Sequence, residues 1–358
     1  MLPRAILSFV LMSLSAAALA QTRAPGLPPV AISAQANRDP VEKSYRKMIR
    51  GMDLFERERA LAPSAPLRFK LLPRHRDTDM RNIRLDVVGN TVETRVPIAA
   101  DDTFVLQRDR LAFDEDAQVV PNRKARSMTW RTEIRTPGLP PQTRRLGDLR
   151  LECRVGMEAG LFSNRRNLLD RIFGALVDTP DMCSRTDPLY LFFSDQPLFS
   201  VSLVAGQRRE FLPVGRLYAG ASDDPEINLV LPYCDCEVLL DRSFFLPLGD
   251  TSWPDDTLVE FEPMAVSGVP GVPGAAVEAS PAASEVVGAI VPGRSMRAEV
   301  VVALPKARML RFDSGYEVWV ERDRPESREP ALPERVILID PAGVVAKVRV
   351  GLPYAGKR

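Results

Sequence analysis

From residue 67 onward, apolar and polar residues alternate with the period of two that marks half-buried strands. Residues 67–71 and 83–87 alternate in this way, and Gly89-Asn90 then turns the chain into residues 92–98, predicting a hairpin. Residues 103–106, 128–134 and 149–155 follow as further strands. A second run of strands is predicted at 189–193, 199–204, 227–231, 237–240 and 258–261. A third is predicted at 298–304, 309–312, 317–321, 336–339 and 344–350, with Asp340-Pro341-Ala342-Gly343 turning between the last two.

Two segments carry a helical period instead. Val41, Tyr45, Met48, Met52 and Phe55 share one face of a helix that fades near Ala62-Pro63. Asp39 serves as its N-cap, Pro40 suits the first helical position, and Glu42 stands three residues after the cap. Residues 164–176 form a shorter helix with Leu168, Ile172 and Leu176 on one face. Residues 266–293, with repeated Gly and Pro and no aromatic side chain, read as a flexible insertion or linker. The competing reading makes the apolar run at 286–291 a buried strand.

The predicted fold is mainly β: two antiparallel β-sandwich-like domains with an N-terminal helix and one short internal helix. Residues 39–160 hold the helix and the first β domain, and 161–265 the short helix and the second. Residues 294–358 supply strands that complete the second domain, since about sixty residues are marginal alone. Within the first domain, Val96-Pro97-Ile98-Ala99-Ala100-Asp101-Asp102-Thr103-Phe104-Val105-Leu106 resembles the late strand–turn–strand of carboxypeptidase-regulatory-like (transthyretin-like) β-sandwich modules, with Asp102 where Gly is usual. The resemblance implies a small antiparallel sandwich acting as an accessory or adhesive module.

The N-terminus changes the setting. Arg4 precedes an apolar run at 5–19 that ends in Ala18-Leu19-Ala20, so residues 1–20 read as a cleavable signal peptide, too short to be a spanning helix. Residues 21–38, rich in Pro, Ala and Gly, are an expected disordered lead-in. The mature chain is expected to be exported, to the periplasm or beyond, with no transmembrane span. Net charge is +1, and loss of Arg4 brings it to neutrality, so nothing draws the chain globally to nucleic acid. Four cysteines, Cys153, Cys183, Cys234 and Cys236, predict two disulfides in an oxidising compartment, with half of a metal site as the alternative for Cys234-Asp235-Cys236. Cys234 and Cys236, too far apart along a strand to bond each other, are expected to pair with Cys153 and Cys183.

Motifs for catalysis are isolated. His75-Arg76-Asp77 with Asn82 fits a kinase catalytic loop, but no Gly-rich loop or Asp-Phe-Gly accompanies it. Ser44-x-x-Lys47 fits the serine acyltransferase pattern without its third element. No metal or cofactor is predicted. The unusual stretch is 123–150, where Arg131, Arg135, Arg144 and Arg145 flank the stiff Thr136-Pro137-Gly138-Leu139-Pro140-Pro141. Such arginines suit phosphate or carboxylate. The alternative is neutralisation across a sheet by Asp101, Asp102, Asp109, Asp114, Glu115 and Asp116. The expected function is a non-enzymatic structural, binding or assembly role in the cell envelope, with an anionic envelope polymer or another envelope protein as partner. A hydrolase of envelope polymers working through unidentified carboxylates is the runner-up.

Overall fold

The computed structural model describes residues 42–123, 127–162, 179–185, 190–219, 239–265, 290–322 and 333–354. These all belong to one contact unit, residues 36–358. The predicted leader, the lead-in, the helix at 164–176, the strand at 227–231, Cys234, Cys236 and residues 266–289 lie outside the described residues. The fold is mainly β, with five antiparallel sheets among the described residues.

Two sheets build the first core. One orders β1 (Lys43–Ser44), β6 (Gln118–Pro121), β3 (Leu85–Val88) and β4 (Glu93–Val96); the other orders β5 (Thr103–Phe104), β2 (Leu67–Pro73) and β7 (Met128–Ile134). The expected hairpin is present, with Leu85 opposite Val96 and Val88 opposite Glu93. Phe69, Leu71, Phe104 and Trp130 from one sheet meet Leu85, Val87 and Val119 from the other. Asp102 takes a left-handed φ of 61°, which lets the 99–102 turn close without the glycine usual there.

Helix α1 (Tyr45–Arg57) lays Tyr45 and Met48 onto this core. It starts later than expected. Ser44 is its N-cap, the hydroxyl accepting from the Lys47 amide at 3.3 Å and donating to Asp116 Oδ1 at 3.0 Å. Ser44 of the Ser-x-x-Lys pattern thus serves as a helix cap. Short helix α2 (Arg110–Asp114) is capped by Asp109.

The segment 149–155, expected as a strand, is the middle of helix α3 (Leu146–Glu158). Its alternating apolar residues serve two cores. Leu151 and Val155 face Leu54 and Phe55 of α1, while Leu149, Cys153 and Met157 face the second core. A helix buried on two sides has no polar stripe to reveal its period. Residues 298–304, also expected as a strand, form helix α4 (Arg297–Ala303). Glu299 caps the helix start by accepting from the Met296 amide at 2.6 Å, and Val302 is left 81% exposed, which no strand in a core would allow.

The second half contains a sheet ordered β11 (Arg208–Phe211), β10 (Leu198–Ala205), β13 (Leu258–Pro263) and β8 (Thr143–Arg145). Strand β8 precedes α3 in the chain yet pairs with β13, stitching the halves together. A pair of strands, β9 (Leu191–Phe193) and β12 (Ser243–Phe245), packs beside it. The C-terminal strands β14 (Arg308–Arg311), β15 (Glu317–Arg322), β16 (Glu334–Ile339) and β17 (Val345–Gly351) form a meander of their own. They enter the second core through Val318, Val336 and Leu338. No helix among the described residues is long and apolar enough to cross a membrane.

The cysteine pairing differs from expectation. Cys153 is joined to Cys183, with Cα atoms 5.9 Å apart. The expectation took 149–155 as a strand. On a helix, Cys153 instead projects onto the 3-10 turn Pro180–Ser184, where Arg154 also donates to Ser184 Oγ at 3.0 Å.

Candidate binding cleft

Strand alternation places Met128 and Trp130 of β7 in the first core and turns Arg131 and Glu133 to the opposite face. On the neighbouring strand β2, Lys70 stands directly opposite Arg131. Like charges in that register destabilise a sheet. Here they border a cleft of about 160 Å³ between the two halves, and Lys70 Nζ reaches across its mouth to Asp195 Oδ1 at 2.5 Å.

Three of the four expected arginines line this cleft: Arg131, Arg135 and Arg144. Arg131 donates from Nη1 to the Trp130 carbonyl at 2.6 Å and lies over the Phe193 ring, 4.6 Å from its centre. Arg135 pairs with Glu133 at 3.0 Å. Arg144 is buried, donating from Nη2 to the Ile134 carbonyl at 2.6 Å and to Glu152 Oε1. The fourth, Arg145, points elsewhere, with Nη1 3.5 Å from Asp148 Oδ1 and 3.5 Å from the Leu61 carbonyl. The proline-rich loop does not present these groups. Asp148 ties its first residue down, accepting from the Thr136 amide at 2.7 Å and hydroxyl at 2.9 Å. The arginines come from strands β7 and β8 and from Arg135 beside the loop.

The acidic run at 101–116 does not pair with these arginines, and of its members only Asp102 adds its charge at the cleft mouth, beside Lys70 and Asp195. Asp101 faces Arg68, Asp114 faces Arg110, Asp116 faces Arg46, Asp109 caps α2 and Glu115 accepts from Thr91. The compensating carboxylates are Glu133, Glu152 and Asp195. Glu152 is the most constrained: buried, it accepts the Ile134 amide at 2.7 Å as well as Arg144. Burial outweighs the guanidinium and lifts its carboxyl to about 7, while Arg144 stays cationic beside it.

The far wall is aromatic. Tyr190 and Phe192 are 4.8 Å apart by ring centre, Phe192 and Phe244 5.5 Å, and Phe244 and Phe261 5.2 Å. Burial pushes the Tyr190 phenol up to about 12. Lys70, Glu152, Tyr190 and Asp195 were not found from sequence; a like-charge register pair and a helix facing two cores are visible only once strands are paired. His75 and Asp77 sit on a turn outside the cleft, where the Thr78 amide donates to the His75 carbonyl at 3.1 Å.

No protein-family model matches the chain, and no curated protein and no solved structure matches it.

Proposed function

We propose that this protein is exported to the cell envelope and acts there by binding, holding an anionic group of an envelope polymer in the cleft between its halves. The observation that carries this reading is the convergence of Arg131, Arg135 and Arg144 with Lys70 on one concave, aromatic-walled site. Concave sites with apolar walls and a few convergent polar groups are where small ligands bind, and guanidinium forks suit carboxylate and phosphate. The test is co-sedimentation of the oxidised protein with peptidoglycan sacculi and with lipopolysaccharide. Retention falls with added salt, and it falls again in the Lys70→Gln, Arg135→Gln double variant. Retention indifferent to both would defeat the reading.

A hydrolase has one observation in its favour, the Glu152 carboxyl at about 7, near the working pH of a general acid or base. Glycoside hydrolysis needs a second carboxylate free to act. In this cleft Glu133 is held by Arg135 and Asp195 by Lys70, so binding is the better-supported reading. Soluble fragments released from sacculi, and lost with Glu152→Gln, would reverse that order.

A further inference from the structure

A second pocket, of about 160 Å³, shares no lining residue with the cleft. It lies between the 3-10 turn Leu240–Arg242, just before β12, and the turn from β14 into β15. We infer that this pocket binds a free α-amino acid with a small side chain, its ammonium on Asp241 and its carboxylate on Arg242.

Asp241 is the group that calls for a ligand. It is only 6% exposed, and among the described residues its carboxylate has neither a hydrogen-bond donor nor an ion-pair partner. It is not one of the polar groups sealed from solvent, so the little surface it keeps opens on the pocket it lines. A carboxylate taken out of water and left unpaired is costly. The neighbouring hydroxyls are already spent. Ser243 Oγ donates to the Leu240 carbonyl at 2.8 Å, and the Tyr218 hydroxyl donates to the Leu198 carbonyl at 2.8 Å. What fits Asp241 is a ligand cation with several N–H donors, which a primary ammonium supplies.

Most other charges of the lining have partners or water. Arg76 donates to the Asp313 carbonyl, Arg311 is held by the buried Glu317 at 2.6 Å, and Asp313 itself is exposed. That leaves Arg242, half-buried and in no ion pair among the described residues. Its backbone is fixed, the amide donating to the Leu239 carbonyl at 2.9 Å and the carbonyl accepting from the Ser194 amide at 2.9 Å. Asp241 and Arg242 therefore stand side by side on one turn without pairing, an anion and a cation that a small zwitterion joins. A guanidinium fork suits the carboxylate end. Size limits the rest of the ligand. Leu239, Leu240 and Phe312 line the pocket with apolar surface, and a cavity of roughly 150 Å³ takes a body of about six heavy atoms, as benzene shows. Alanine is of that size and tryptophan is not.

Amide shift titrations of the intact oxidised protein test this. L- or D-alanine should bind and move the amides of residues 239–242 and 311–314. N-acetylalanine lacks the cation and alanine amide lacks the anion, so each should bind about tenfold more weakly or worse. Tryptophan should leave these amides unmoved. Asp241→Asn keeps the shape and removes the charge, and it should weaken alanine by about tenfold or more. Arg242→Gln should remove the preference for alanine over alanine amide. The wild-type comparison stands even where a variant fails to accumulate. Either blocked form, or tryptophan, bound as tightly as alanine overturns the inference, and so does a failure of both alanines to bind. Such a failure leaves the reading of the cleft standing, since the two sites have separate linings.

Discussion

Gly51→Ala puts two opposing effects in competition at the crossing of α1 and α3. In an isolated helix the substitution stabilises, by about 0.5–1 kcal/mol, because alanine loses less conformational freedom than glycine. In this fold the added Cβ would stand 2.8 Å from Ala159 Cβ and 3.1 Å from the Val155 carbonyl oxygen. Neither is the tip of a flexible side chain, so the helices must separate along a contact that also holds Leu54, Phe55, Leu151 and Val155. Overpacking of that kind costs about 1–3 kcal/mol. The packing cost wins, and the variant should lose roughly 1–2 kcal/mol of stability. Urea unfolding followed by tryptophan fluorescence measures this as a lower midpoint at unchanged slope. Ala159→Gly in the same chain removes the nearest clash and should return part of the loss, a coupling of at least about 0.5 kcal/mol. A Gly51→Ala protein as stable as the parent or more so would refute the crossing, and with it the assignment of 149–155 to a helix.

Three further outcomes are expected. Non-reducing peptide mapping should recover a linked Cys153–Cys183 peptide, and Cys153→Ser with Cys183→Ser should cost about 3.6 kcal/mol for a closed loop of 30 residues. Glu152, raised to about 7 on folding, holds more protons folded than unfolded between its ordinary range and pH 7, so stability should decline across that interval as pH rises; Glu152→Gln should flatten the decline in thermal melts, and a parallel decline in both proteins would count against it. Arg349→Met leaves the buried Glu334 carboxylate without its guanidinium 2.9 Å away, and a loss of about 3–5 kcal/mol in chemical unfolding is expected, whereas Arg110→Met at an exposed pair should leave stability unchanged.

Much of this fold was legible where one face of a strand meets a core and the other meets solvent. The hairpin of β3 and β4, the long strand β7 and the C-terminal meander all follow their alternation. The reading failed at α3, where Leu149, Leu151, Cys153 and Val155 alternate because each face of a helix is buried in a different core. It failed again at α4, where Val300, Val301 and Val302 suggested a strand but Glu299 and the exposed flank favour a short helix. Of the cleft, Arg131, Arg135 and Arg144 could be found because they cluster in the chain. Lys70 and Asp195 could not, since their proximity depends on the register of β2 with β7 and on the loop after β9.

The sharing of α3 between two cores bears on the order in which the chain can fold. A chain emerging N-terminus first completes residue 160 with Leu149, Met157 and the Cys153 thiol still uncovered, since Phe192, Phe199 and Cys183, which cover them, come later. Strand β8 likewise waits for β13. The N-terminal half is therefore no autonomous folding unit: its thiol stays open to mispairing until Cys183 has appeared and its closing helix stays sticky until the strands through β13 follow, so a fragment cut at residue 160 should aggregate rather than serve as a free-standing module.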